Sequence, residues 1–326
     1  MELTQIYTRR NNSRQNYAQP IIYEWEDVIS NQLDISVKNY PLLYRATNKL
    51  GLNAPILGPA NTTFTFVNIG RNSDAAMNNK HVIPCIIDFF EKGEYLQAFY
   101  NNHSRNQIVL FSSPFDYEYL KKLDCPLNIG LFAYSLPDKY AFSGKRMEKK
   151  YDIVLTARQD PLLYSFFKEY IKRHPNITYV KRGKELENDT NRTKEYYLNG
   201  KECLGAFESR DEFMNLQSQG RVTLYGLQGY MDDAVKGFFH MTPHFLEVIA
   251  CGCHVLCHYP LGEEGVDAKY YEFDKFSPSI ETYEQFEFAM NNALRTDIDM
   301  KLYSTYLQKH YTSTRVNELK QMLMKL

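Results

Sequence analysis

The sequence predicts an α/β protein of two tandem Rossmann-like domains, and three observations lead there. Short, continuous apolar segments alternate with amphipathic ones, the mark of parallel strands covered on both faces by helices. That pattern stops at a polar, basic stretch, "LPDKYAFSGKRMEKK" (136–150), and restarts at residue 151. A chain of 326 residues is also long for one hydrophobic core and comfortable for two of about 150 residues each. The expected domains are 1–140 and 151–305, with a terminal helix over 306–326 packing back on the first.

In the first domain, "IIYEWEDVISNQL" and "YPLLYRATNKLG" read as helices, the second closed by Gly51, after a polar lead-in at the amino terminus. Strands follow at "TFTFVNIG", "HVIPCIIDFF", "NQIVLFSS" and "NIGLFAYS", with a helix at "PFDYEYLKKL" that starts on Pro114. In the second domain "YDIVLTA" is a strand, and "DPLLYSFFKEYIKRH" is a helix with Leu162, Leu163, Phe166, Phe167, Tyr170 and Ile171 on one stripe. "NITYVK" is the next strand, and the polar stretch 183–208 reads as a loop or an irregular excursion. Ser209 and Glu212 form a capping box for "RDEFMNLQSQG". "RVTLYG" is a strand, and 281–295 and 314–326 read as helices.

Composition narrows the function. Apolar residues make up 44% and charged residues 24%, with Lys+Arg at 38 against Asp+Glu at 39. A net charge of −1 supplies no basic field for nucleic acid or for an anionic bilayer beyond peripheral contact. No signal-peptide core or apolar run of about 20 residues is present, and six scattered cysteines suit reduced thiols, so a cytoplasmic location is expected.

The stretch "HMTPHFLEVIACGCHVLCHYP" (240–260) carries the most chemistry. Its cysteines run C-x-C-x3-C with no second ligand pair nearby, and no C-x-x-C is present, so no metal is expected and the thiols read as packing residues. The segment instead reads as helix, glycine, strand. Thr242 is the N-cap, Pro243 the first helical residue, Gly252 the left-handed end, and "HVLCHY" a buried strand. His244 and Glu247 share one edge of an otherwise apolar helix. Glu247 is either a structural acid paired with a cation or amide, or a carboxylate on a cleft that accepts ligand hydroxyls. In the second case the amides at Thr242–Phe245 would face a phosphate.

"TPHFLEVIACGCHVL" resembles the corresponding helix of bacterial GT-B glycosyltransferases, closest to the spore-maturation-type (CgeB-like) group. "YEWEDVISNQL" and "HYTSTRVNELKQML" resemble that group too. The resemblance implies two domains with a cleft between them, a nucleotide-sugar donor on the second, and a glycan, glycolipid or protein acceptor on the first. It implies no metal and no cofactor beyond a UDP-, GDP- or dTDP-linked sugar. Glu247 matches the carboxylate that commonly holds the donor ribose. Many retaining members carry a second glutamate eight positions earlier, where this chain has Phe239; His240, Asp232 or Asp233 are substitutes to consider.

Other positions follow from the strand ends. Arg158 follows the first strand of the second domain, and the resemblance implies that a basic residue there neutralises the departing diphosphate, with Lys181 and Arg182 as weaker phosphate candidates. Tyr225 and Gly226 could flank the base or diphosphate, and Phe245 lies in the same motif. In the first domain Asp88 could activate an acceptor or simply form a turn, and Gly70 in "NIGRN" could approach a phosphate. A nicotinamide oxidoreductase lacks its G-x-G-x-x-G turn here, and no P-loop is present. A non-catalytic nucleotide-sugar binder remains the alternative to the transferase.

Overall fold

The computed structural model describes residues 2–10, 19–40, 59–68, 78–142, 144, 147–183, 195–207, 209–231 and 235–326. The helix expected at 40–51 lies outside these residues from 41 onward, as do Gly70, Asp232 and Asp233. The chain forms two compact units, Met1–Asp138 with Tyr311–Leu326, and Lys139–His310.

Unit 1 is built on a six-stranded parallel sheet in the order β2-β1-β3-β4-β5-β6. The strands are β1 (Gln5–Thr8), β2 (Ser36–Asn39), β3 (Thr63–Asn68), β4 (Val82–Ile87), β5 (Val109–Phe111) and β6 (Ile129–Leu131). Helices α1 (Gln19–Leu33), α2 (Glu94–His103) and α3 (Pro114–Lys122) connect them. The amino terminus corrects the polar lead-in: "QIYT" is a buried strand between β2 and β3. Its polar side chains are satisfied inside, which is why they escape a hydropathy reading. Gln5 Nε2 donates to Thr63 Oγ1 at 2.8 Å, and Thr8 Oγ1 donates to Glu26 Oε2 at 2.6 Å. In α1, Ile21, Trp25 and Ile29 recur at i, i+4 and i+8 and are buried along one stripe of the expected helix. In α3, Pro114 stands at the first turn behind a Ser113 cap, as expected.

Unit 2 has a mixed sheet in the order β10-β9-β8-β7-β11-β12. Its parallel part is β7 (Tyr151–Leu155), β8 (Tyr179–Arg182), β11 (Gly220–Gly226) and β12 (His254–His258). The expected loop at 183–208 contains instead the hairpin of β9 (Glu195–Leu198) and β10 (Glu202–Ala206), antiparallel to β8. Its turn is Asn199-Gly200, with φ of 51° and 67°, the pair that a tight hairpin favours. Helix α4 (Pro161–Arg173) buries Leu163, Phe167 and Tyr170 of the predicted stripe. Helix α5 (Arg210–Ser218) starts at the capping box of Ser209 and Glu212, both hydrogen bonds of which form.

Short helices α6 (Gln228–Met231), α7 (His244–Ala250) and α8 (Val266–Tyr270) are followed by α9 (Tyr283–Arg295) and α10 (Met300–Gln308). The core between sheet and helices includes Ile153, Leu155, Phe167, Leu224, Phe286 and Met290. The last helix, α11 (Thr312–Leu323), returns to unit 1. There Gln32 Nε2 donates to Asn317 Oδ1 at 2.8 Å, and Thr312 N donates to Leu136 O at 2.9 Å.

Candidate functional site at the carboxyl edge of the second sheet

Open parallel sheets bind ligands beyond the carboxyl ends of their strands, where the strand order reverses. In unit 2 the order reverses between β7 and β11, whose last residues are Leu155 and Gly226. Arg158 lies just past β7 and is exposed there. Gly226 lies so close to α4 that an added Cβ would stand 2.6 Å from Asp160 Cβ.

Asp160 is an organising residue that sequence inspection missed. Its Oδ1 caps α4, accepting from the amides of Leu162 at 2.9 Å and Leu163 at 3.0 Å. Its Oδ2 meets His258 Nδ1 at 2.9 Å. Because a carboxylate accepts, that contact places a proton on Nδ1 and leaves Nε2 facing the exposed Glu281, 3.7 Å away. Tyr230 stacks on the His258 ring with centroids 4.1 Å apart. The D-P step at 160–161 was a readable cap signal; the partner 98 residues later was not.

The start of α7 departs from expectation. Helical structure begins at His244, the N-cap position is Pro243 in an α conformation, and no side chain caps the helix. Thr242 is therefore not the cap. Its backbone N–H donates to the Tyr225 hydroxyl at 2.7 Å, and the two hydroxyls are 3.2 Å apart. Tyr225 is itself a buried strand tyrosine, its phenol pushed well up by burial. Phe245 packs in the core, stacked on Phe273 at 4.0 Å. At the far end Gly252 adopts φ +61°, the left-handed exit expected of it.

Glu247 is only 3% exposed, so it does not stand open on a surface. Arg210 Nη2 donates to its Oε1 at 2.5 Å, and His244 Nδ1 meets its Oε2 at 3.2 Å. Burial opposes ionisation of this carboxyl, yet the Arg210 charge and the His244 contact outweigh it and hold the group at about 2. This is the paired-acid arrangement. The cation, Arg210, comes from the first turn of α5 and also lies over the Tyr140 ring at 5.5 Å. With Nδ1 turned to the carboxylate, the buried Nε2 of His244 has no hydrogen-bond partner among the described residues.

His240 is fully buried against Phe238, so it presents no surface to a substrate, and a catalytic role is not supported there. Phe239 is buried too and packs on Tyr230 at 4.9 Å. Lys181 is buried, and Arg182 donates to the Thr156 carbonyl at 3.0 Å, which ties it to the end of β7. Cys251, Cys253 and Cys257 are buried, and desolvation raises all three thiols. Among the described residues no group of three or more His, Cys, Asp or Glu could hold a metal ion, and no helix is long and apolar enough to cross a membrane.

In unit 1, Asp88 directly follows β4 with φ +54°, a left-handed conformation that Asp tolerates better than most residues. Asn68 Nδ2 and the Tyr134 hydroxyl each lie 3.4 Å from its carboxylate. At the end of β1, Glu26 is 2% exposed yet receives Thr8 and Arg10. Burial dominates and raises its carboxyl to about 7, although both partners pull it down.

No protein-family model matches the chain, and no curated protein sequence matches it. Solved structures do match in fold. Sucrose-phosphate synthase from Thermosynechococcus elongatus aligns over 100% of this chain and 99% of its own, with TM-score 0.55 and 8% identity. The pneumococcal O-GlcNAc transferase GtfA, solved with UDP and GlcNAc, aligns over 87% of this chain with TM-score 0.52 and 10% identity. This alignment covers only 59% of GtfA. The chain thus has the α/β fold of GT-B glycosyltransferases, with two six-stranded sheets.

Proposed function

We propose that the chain is a nucleotide-sugar-dependent glycosyltransferase, akin to the spore-maturation-type group, whose donor binds at the carboxyl edge of the second sheet. The observation that carries this reading is the match of fold along the entire chain to a sugar transferase of nearly equal length. Identity of 8% leaves the activity to chemistry at the site.

In the proposed reaction the bond from the sugar's anomeric carbon to the diphosphate breaks, and a bond to an acceptor hydroxyl oxygen forms. The nucleoside diphosphate leaves with the bonding electrons. The acceptor proton passes to the departing diphosphate oxygen on the face where the bond breaks, which retains the anomeric configuration; Asp88 acting as base from the opposite face would invert it. Arg158, exposed beyond β7, meets the charge that builds on the leaving group, so a metal is not required. Glu247 has both oxygens engaged by the protein, so its role is to hold Arg210 and His244 in place. Retention of anomeric configuration goes with this reading, as does an acceptor that is a cell-surface glycan, a glycolipid or a protein.

A non-catalytic nucleotide-sugar binder is the second reading, favoured by Phe239, an aromatic packing residue where many retaining enzymes carry a sugar-binding glutamate. A donor panel of UDP-, GDP- and dTDP-sugars, read by release of nucleoside diphosphate, separates the two. Release with one base class supports the enzyme. Binding by thermal shift without release favours the binder, and a shift with NAD alone would overturn both.

A further inference from the structure

A well-formed cavity in unit 2 lies away from the carboxyl edge. It has a volume of about 440 Å³ and lies at the opposite, amino edge of the sheet. Arg221, the second residue of β11, and His254, the first of β12, line it. Gly226, at the donor end of β11, is five residues beyond Arg221, a separation of roughly 17 Å at strand spacing. The cavity is therefore distinct from the proposed donor site.

Its lining has two parts. Phe142, Met147, Ile298 and Met300 supply apolar walls. Lys149, Arg221 and His254 supply a polar end. Lys149 is already committed: its Nζ donates to Ser218 O and Cys251 O, both at 2.9 Å, and lies 3.8 Å from Cys253 Sγ. His254 Nε2 is 2.9 Å from the Thr296 carbonyl, which can only accept, so that nitrogen carries the proton. Arg221 is half-buried and makes no hydrogen bond or ion pair among the described residues.

A partly desolvated guanidinium with no hydrogen-bond or ion-pair partner among the described residues, beside apolar walls, suits one planar anion on an apolar body. Glu148 and Asp297 also line the space and are exposed. They balance the two cations, which disfavours a polyanion such as a nucleoside diphosphate.

We propose that this cavity is a second ligand site that takes a small carboxylate with an aromatic or branched aliphatic body, its carboxylate paired with Arg221. The proposal does not depend on transferase activity. His254 offers a local reporter: burial, then the positive charges of Lys149 and Arg221, depress its titration, while the Thr296 carbonyl and Asp297 oppose them. An anion seated on Arg221 would move that titration upward.

The test uses the full chain with phenylacetate and isovalerate as probes and phenylacetamide as the uncharged control. Calorimetry gives affinity, and NMR of ring-labelled histidine gives the His254 titration. At least one carboxylate should bind saturably and raise the His254 midpoint, and Arg221→Gln and the amide control should each lose about tenfold in affinity. Ile298→Trp, which fills the space, should abolish binding. Should Arg221→Gln fail to fold, Arg221→Lys, which keeps charge but not the planar fork, serves in its place. Failure of both carboxylates to saturate, equal affinity in the Arg221 variant, or an unmoved His254 titration would overturn the site.

Discussion

Glu247 shows how much a single residue's role depends on a neighbour that sequence does not reveal. Its cation comes from 37 positions earlier, and the pair is nearly sealed, with side chains 10% and 5% exposed. Removing one member of such a pair leaves a buried charge and costs about 3–5 kcal/mol, whereas replacing both with apolar groups often costs little. Glu247→Gln should therefore destabilise the chain strongly in urea unfolding, while Arg210→Met with Glu247→Leu should recover most of that loss. If Glu247→Gln leaves stability unchanged, the pair is not holding this helix. Arg158 is the opposite case, exposed and at the strand end. Arg158→Ala should lower kcat on the order of 10²-fold in the donor assay with stability unchanged, and an unaltered kcat would remove it from the reaction.

Glu26 belongs to the same scale and has a definite pH sign. Its folded carboxyl sits at about 7 against an ordinary 4.5, so its raised affinity for a proton favours the folded state fully below pH 4.5. That contribution disappears as pH rises through 7, an effect on the order of 3 kcal/mol. Glu26→Gln cannot titrate, so its stability relative to the parent should improve between pH 5 and pH 8. Parallel thermal melts across that range check the sign, and a flat difference refutes the assignment.

At the scale of elements, local signals identified the ends of helices well. The capping box at Ser209–Glu212 and the proline after Asp160 each began a helix where they stood. Two elements escaped. β1 is four residues long with polar Gln5 and Thr8 at its ends, and only partners from elsewhere make those side chains tolerable inside. The β9–β10 hairpin was hidden in a polar stretch, although Asn199-Gly200 was a legible turn. Helix α11 offers a test at this scale. It packs on α1, which carries Trp25, the chain's single tryptophan and a buried one, so fluorescence reports on unit 1. Truncation after His310 should lower the denaturant midpoint of that fluorescence transition. An unchanged midpoint would mean the helix contributes nothing to the core it covers.

For the molecule as a whole, the duplicated α/β pattern was legible because burial on both faces of a parallel sheet demands continuous apolar strands. Val82–Ile87 and Ile153–Leu155 are buried almost without interruption, and that requirement shows in the linear chain. The helix–glycine–strand at 240–260 was legible for the same local reasons. What surrounds each polar side chain was not. His258 found Asp160 across 98 residues, and Arg221 came to line a cavity with Ile298 from 77 positions later. The sequence determined the two-unit architecture and the edge where Arg158 stands, since propensity and hydrophobic period act over a few neighbouring residues. Tertiary structure alone decided that Glu247 is paired, that His240 is enclosed and that Arg221 has no partner among the described residues, because burial and charge pairing join positions the chain keeps far apart.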